Sequence, residues 1–343
     1  MVERRTQVAE YAAIAERGRI DPADFERDIA GIAQPVVLRG QVGDWPAVRA
    51  AGRGDAELAA YLSRFDTGRP AEVMIGPPAI RGRFFYREAM DGFNFRREPV
   101  TLSRLVEELL RLAPLPDPPS LYAGAAMADD HLPGWAAENA IGLPLGEVQA
   151  RVWVGNATHV STHYDVSSNL ACVVAGRRAF TLFPPEQLVN LYVGPLDRTV
   201  AGQPLSMVDI EAPDLDRYPR FAEAMAHGVT AELAPGDAIV IPSLWWHNVR
   251  ATTPFNVLVN YWSVADPTES PFMAFAHALL SIRDLPLAER KAWRAWFEHY
   301  VFAEDAGDAA SHLPEHARGV LAAPGPARNQ QIKQYLISGL TRR

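Results

Sequence analysis

Cysteine is almost absent from this 343-residue sequence: Cys172 stands alone, so the chain can form neither an internal disulfide nor a thiolate zinc cluster. Long apolar runs are missing too. No stretch reaches the roughly 18 consecutive apolar residues of a membrane-spanning helix. The first twenty residues, MVERRTQVAEYAAIAERGRI, mix charges into their apolar positions and lack the continuous apolar segment of a secretory signal. Positive charge is in deficit, since 33 Lys and Arg against 41 Asp and Glu leave a formal net charge of −8. That balance argues against a general nucleic-acid binder or a protein held on anionic membranes. What is present suits a globular fold: 48% of the residues are hydrophobic, enough to bury a sizeable core. A cytoplasmic location is the expectation.

The chain changes character twice. Its first third mixes helix and strand. Asp21-Pro22 reads as a cap followed by proline at the first helical position, and TLSRLVEELLRL (101–112) repeats Leu102, Leu105, Val106, Leu109 and Leu110 at helical spacing behind Thr101. From about 120 to 264, short β-branched and aromatic runs alternate with Gly, Pro and Asn. SLYAGAAM, EVQARVWVG, SNLACVVAG, RAFTLFPP, DAIVIPS and FNVLVNYW are six candidate strands, and their spacing suggests a sandwich or barrel. AGRR (175–178) reads as a hairpin turn on Gly176, and APGD (234–237) as a second tight turn. Beyond 265 the pattern becomes helical. Trp293, Trp296, Phe297, Tyr300 and Val301 share one wide aromatic face that packs on the β-domain or on a second copy of the helical unit, a final helix spans about 328–340, and 303–327 has the composition of a flexible linker. The expected divisions are an N-terminal α/β segment (1–119) packed on the core, a β-barrel (120–264) and a helical unit (265–343) that forms a homodimer.

One short stretch carries chemistry. In STHYD (161–165), His163 and Asp165 stand two positions apart in a strand and so point the same way, with Tyr164 opposite. Such a pair is half of a metal site or a charged pair on a solvated face. The distinction depends on a third ligand. His247, in GDAIVIPSLWWHNV, follows the strand set up by the Pro235-Gly236-Asp237 turn. Two histidines and one carboxylate that leave neighbouring positions open are the ligand set of non-haem Fe(II) oxygenases.

With these residues in place, HYDVSSNLACVVAGRRAFTLFPPEQLVNLYV, PGDAIVIPSLWWHNV and VNYW together resemble the cupin-like JmjC oxygenases, in particular asparaginyl hydroxylases of the factor-inhibiting-HIF type. The resemblance is tight over roughly 120–264. It is weaker at QPVVLRGQVGDWPA, and it extends to the tail only as a helical unit of a kind that often dimerises. It implies a mainly β fold with flanking helices, built on a double-stranded β-helix (cupin or jelly-roll) core. Its iron ligands match His163, Asp165 and His247. The asparagine six residues past the first ligand, which contacts the 2-oxoglutarate site in relatives, is Asn169 here. The asparagine of the family's V-N-[FY]-W strand is Asn260, and its L-Y tyrosine is Tyr122.

Two positions depart from the family. The lysine that holds the far carboxylate of 2-oxoglutarate is replaced by Arg178, which can grip a carboxylate with two parallel N–H donors but is longer and planar. The threonine three residues before the first histidine is replaced by Val160, with Ser161 and Thr162 close by, and Thr162 is the candidate for its role. Trp245, Trp246 and Trp262 are candidate cavity walls, with plain core packing as the alternative, the commoner role of a buried tryptophan. The resemblance implies a dioxygenase that uses Fe(II), O2 and 2-oxoglutarate to hydroxylate a C–H bond, most readily on a protein or peptide side chain, with small molecules open as substrates. A cupin metalloenzyme that works without 2-oxoglutarate is the first alternative. A non-catalytic metal-binding regulatory module is the second.

Overall fold

A computed structural model describes residues 11–263 and 270–341. Two compact units divide between Val264 and Ala265, a junction inside the undescribed stretch 264–269. Among the described residues, no helix is long and apolar enough to cross a membrane.

Among the described residues, the first unit holds fourteen strands. They are β1 (Ala12–Ala13), β2 (Ala15–Arg17), β3 (Val36–Leu38), β4 (Ala71–Gly76), β5 (Arg96–Val100), β6 (Ser120–Met127) and β7 (Ala150–Gly155). There follow β8 (His159–Tyr164), β9 (Ser168–Ala175), β10 (Arg178–Phe183), β11 (Val229–Leu233), β12 (Ala238–Ile241), β13 (Trp246–Ala251) and β14 (Asn256–Ser263). One sheet runs β1-β11-β10-β13-β8, and the other β2-β3-β12-β9-β14-β7-β6-β4-β5. This is the double-stranded β-helix core with flanking helices. The N-terminal segment is woven into it, because β2 to β5 extend the larger sheet and β1 pairs with β11.

The turn at Gly176 differs from its sequence reading, and the tight turn at 234–237 is present. Residues 176–177 do not close a hairpin: β9 pairs with β12 and β14, whereas β10 pairs with β11 and β13. Gly176 therefore carries the chain across from one sheet to the other. Its φ is +77°, and a Cβ there would lie 2.1 Å from Asn256 Oδ1 and 2.7 Å from Phe255 O, so only glycine fits this corner. The turn at Gly236 (φ +98°) likewise leads from β11 in one sheet to β12 in the other. A hairpin and an inter-sheet corner use the same turn residues. Which strand the next segment pairs with is decided by packing.

Alternation then sorts the side chains. On β9 and β14, Ala171, Val173 and Leu258 point between the sheets, where they meet Phe180 and Leu182 of β10. Their neighbours Cys172, Val257, Val259 and Tyr261 face the helical layer. Helix Leu102–Leu112 packs there through Leu102, Leu105, Val106, Leu109 and Leu112, and Thr101 Oγ1 accepts from Arg104 N at 3.3 Å as its cap. Leu110, at the edge of the stripe, is only half-buried.

The second unit carries helices Pro271–Ser281, Leu287–Phe297 and Pro326–Thr341, with a π-helical turn at Glu298–Phe302. Ser270 sits at the cap position without a side-chain capping bond. The stretch read as a linker contains three short 3₁₀ turns, Ala306–Asp308, Glu315–Ala317 and Gly319–Leu321.

Candidate metal centre

His163 and His247 stand directly opposite each other in the β8–β13 ladder, with ring centroids 4.2 Å apart. Asp165 lies just past the end of β8 on the same side as His163, and its Oδ2 is 3.6 Å from His247 Nε2. One ligand atom from each of the three lies within 4.8 Å of the others; among the described residues no second group of this kind occurs. Both rings are turned the same way. His163 Nδ1 is 2.9 Å from Ser161 O and His247 Nδ1 is 3.0 Å from Trp245 O. A carbonyl only accepts, so each Nδ1 carries the proton and each Nε2 keeps its lone pair for a cation. Burial, reinforced by the neighbouring His247, lowers the pKa of His163 to about 4, so the ring is neutral at physiological pH. Asp165 Oδ2 accepts from Trp262 Nε1 at 3.0 Å and faces Asn169 Nδ2 at 3.4 Å.

The three groups open into a cavity of about 520 Å³ between the sheets, which Tyr122, Asn169, Arg178 and Asn260 also line. Arg178, the first residue of β10, points inward with Phe180 on its face, while Arg177 is exposed. It is only 2% exposed, and its Nε and Nη2 have no hydrogen-bond partner. Burial pushes its pKa below the usual arginine range, and the neighbouring Tyr122 phenol offsets this only in part. A buried guanidinium with two free donors is costly unless an anion meets it. Asn260 Nδ2 donates to Asn169 Oδ1 at 3.0 Å, and both amides are buried. The donor set therefore suits a divalent cation, and the guanidinium deeper in the same cavity suits a carboxylate.

Thr162 is a correction. It is fully buried, but it lies outside the cavity, where its Oγ1 meets Asn248 Nδ2 at 3.4 Å. The reason is strand alternation, which turns Thr162 to the face opposite its neighbour His163. A β-bulge follows: Val249 pairs with Val160 and His247 with His163, so Ser161 and Thr162 together oppose Asn248. The bulge brings Val160, three residues from His163, onto the cavity wall with it, and Ser161 lines the wall between them. His159 is bonded to Asn248 on that outer side, 3.0 Å from its Oδ1. Trp245 and Trp246 take the packing role: Trp245 packs between the sheets with Nε1 on Ala33 O, and Trp246 packs edge-on against Tyr164. Of the three tryptophans, only Trp262 lines the cavity. Trp153, passed over in the sequence, lines it too, with Nε1 2.6 Å from Asn260 Oδ1. Its alternation with Val152 and Val154 was the available signal.

The Cupin-like domain family matches residues 22–268. Among curated proteins, the chain is similar to human HSPB1-associated protein 1 (34% identical over 116 residues, 33% of this chain and 23% of that protein). It is also similar to tRNA wybutosine-synthesizing protein 5 of Danio rerio (38% over 109 residues, 32% and 30%). A third relative is lysine-specific demethylase JMJ31 of Arabidopsis thaliana (37% over 111 residues, 32% and 20%). The matches thus span about a third or less of each relative's length. With the family match running through both sheets and the three clustered side chains, the chain belongs to the Cupin-like domain family.

Proposed function

We propose that this protein is an Fe(II)- and 2-oxoglutarate-dependent dioxygenase that hydroxylates a C–H bond, most readily on a protein or peptide side chain. The observation that carries the reading is the meeting, in one cavity, of a His-Asp-His ligand set with a buried arginine whose Nε and Nη2 have no hydrogen-bond partner. His163 Nε2, Asp165 and His247 Nε2 would hold the iron, and Arg178 would receive the distal carboxylate of 2-oxoglutarate. Bound iron and cosubstrate would supply the electrons that activate O2 for oxidation of the C–H bond. The protein's own part is positional. Asn169 and Asn260 offer amide donors beside the cosubstrate, and the Tyr122 hydroxyl shares Arg178's end of the cavity. Phe84, Phe180 and Leu258 keep the cavity wall apolar and exclude water from the reacting groups.

For the substrate, the lysine-specific demethylase among the relatives favours a protein side chain. The net charge of −8 disfavours a polyanion such as the tRNA named for another relative. The uncovered aromatic face of helix Leu287–Phe297 supports a homodimer through residues 270–340, since contiguous apolar surface of this kind is normally covered by a partner. The test is an anaerobic titration with Fe(II) and 2-oxoglutarate, followed by a succinate assay on admitting air. Succinate formed in proportion to 2-oxoglutarate consumed is the expected result. Iron binding without 2-oxoglutarate binding would move the assignment to a metalloenzyme that needs no cosubstrate.

A further inference from the structure

A one-directional chain of hydrogen bonds ends on the metal-facing carboxylate, and donors that cannot accept set its direction. An indole N–H only donates. Trp153 Nε1 donates to Asn260 Oδ1 at 2.6 Å, which leaves Asn260 Nδ2 to donate to Asn169 Oδ1 at 3.0 Å. Asn169 must then turn its own Nδ2 toward Asp165 Oδ2, 3.4 Å away. The second indole, Trp262, donates to that same oxygen at 3.0 Å and packs edge-on against Trp153 with centroids 6.0 Å apart. Asp165, Asn169 and Asn260 are 7%, 8% and 1% exposed, so little water can substitute for a missing link.

An asparagine amide can be turned over with almost no change of shape, so its orientation has to be imposed by its partners. If Asn169 were reversed, its carbonyl oxygen would face the Asp165 carboxylate and repel it. We infer that Trp153 and Trp262 are positioning residues of the metal centre. Trp262 holds Asp165 directly; Trp153 acts two side chains away, through Asn260, by fixing Asn169 as a donor. The same polarity occupies the Asn169 carbonyl, so what this residue offers an anionic ligand in the cavity is N–H. The inference rests on the metal reading proposed above and adds the groups that orient its ligands.

The test uses Co(II) alone as a spectroscopic probe, titrated into the full chain and followed by its d–d absorption, with thermal unfolding recorded for every variant. Trp262→Phe keeps an aromatic ring and deletes the donor. It should weaken Co(II) binding by roughly 10- to 100-fold, the range for groups that orient metal ligands, and change the band pattern. Trp153→Phe should weaken it by roughly 10-fold, although this residue touches no ligand. Asn260→Leu breaks the chain in the middle while leaving both indoles in place, and it should reproduce the Trp153→Phe loss even if that variant folds poorly. Trp45→Phe removes a comparable indole bond (2.9 Å to Ala140 O) in the helical layer and should leave Co(II) binding unchanged. Wild-type affinity and spectrum in both Trp262→Phe and Trp153→Phe would overturn the inference, as would an equal loss in Trp45→Phe. A wild-type chain that fails to bind Co(II) would overturn the metal reading itself.

Discussion

In the unit that ends at Val264, Trp135 and Phe180 are 0% and 1% exposed; in the unit that follows, Trp296, Leu280 and Tyr335 are 59%, 74% and 75% exposed. Both stretches are comparably rich in apolar residues. The difference lies in what covers them. A strand pair buries one face against the opposite sheet and the other against helices, so nearly every inward side chain of β9, β10 and β14 is enclosed by the same chain. The three long helices of the second unit contain no buried residue. The first unit therefore encloses a polar site by itself, whereas the long helices of the second do not enclose their own apolar residues. Chemistry should be sensitive to single atoms in one and indifferent to changes in the other.

The sharpest break in that contrast would come from the ligands. His247→Ala removes one of three donors and should reduce Fe(II) or Co(II) affinity beyond the ~100-fold typical of outer groups, as measured by titration. His159→Ala and His299→Ala should not. Full metal occupancy in His247→Ala would identify the wrong third ligand.

Next in size is Arg178. Removing a buried charged partner from an anion costs about 2–5 kcal/mol, so Arg178→Ala should weaken 2-oxoglutarate by roughly 30-fold or more while metal binding is nearly kept. Arg178→Lys should retain part of the affinity, because the charge survives and the two-pronged geometry does not. Arg177→Ala, on the exposed side, should do little. Calorimetric titration separates the three, and normal cosubstrate affinity in Arg178→Ala would remove it from the site.

For the second unit, Trp293→Glu combined with Trp296→Glu should convert a dimer to a monomer in light scattering at micromolar concentration. Its Co(II) affinity should equal that of the wild type. A wild-type chain already monomeric under those conditions would end the dimer proposal.

The smallest effect concerns pH. His163 is neutral in the folded state with its pKa lowered to about 4, against an ordinary value near 6.5. Between those values the unfolded chain binds the extra proton and the folded one does not. Metal-free stability should therefore be full above the ordinary value and decline as pH falls toward the lowered one. Thermal unfolding of the metal-free chain at several pH values should show this slope in the wild type and a shallower one in His163→Gln. Equal slopes would mean that His163 is not the titrating group.

Much of the site was legible because its signals are local. His163 and Asp165 share a face through strand alternation alone, and Asn260 is placed opposite Val259 and Tyr261 by the same rule. Arg178 was legible as an inward residue by its phase with Phe180. Thr162 was misread because it was chosen for its nearness to His163, although alternation turns strand neighbours to opposite faces. The presence of Val160 on the cavity wall depends on a bulge, which is a property of two paired strands rather than of either alone. For Trp245 and Trp246 the sequence left cavity wall and plain packing open. Trp246 opens β13 and alternation turns it away from His247, whereas Trp245 lies on the preceding turn and only the packing of that turn sends it between the sheets. Trp153 was missed because its role depends on a hydrogen-bond partner 107 residues away.

By itself, the sequence determined the strand-rich core, the helix behind Thr101, the pairing of His163 with Asp165 on one face, and the glycine required at position 176. These rest on periodicities and backbone preferences that act over a few residues. The tertiary structure decided which strands became neighbours, that the turn at Gly176 is a corner between sheets, and that His247 comes to lie opposite His163. It also set the direction in which two indoles orient the amides behind Asp165. Each of these is a contact between segments distant in the chain, and no local preference encodes a long-range pairing until the two sheets close on their shared core.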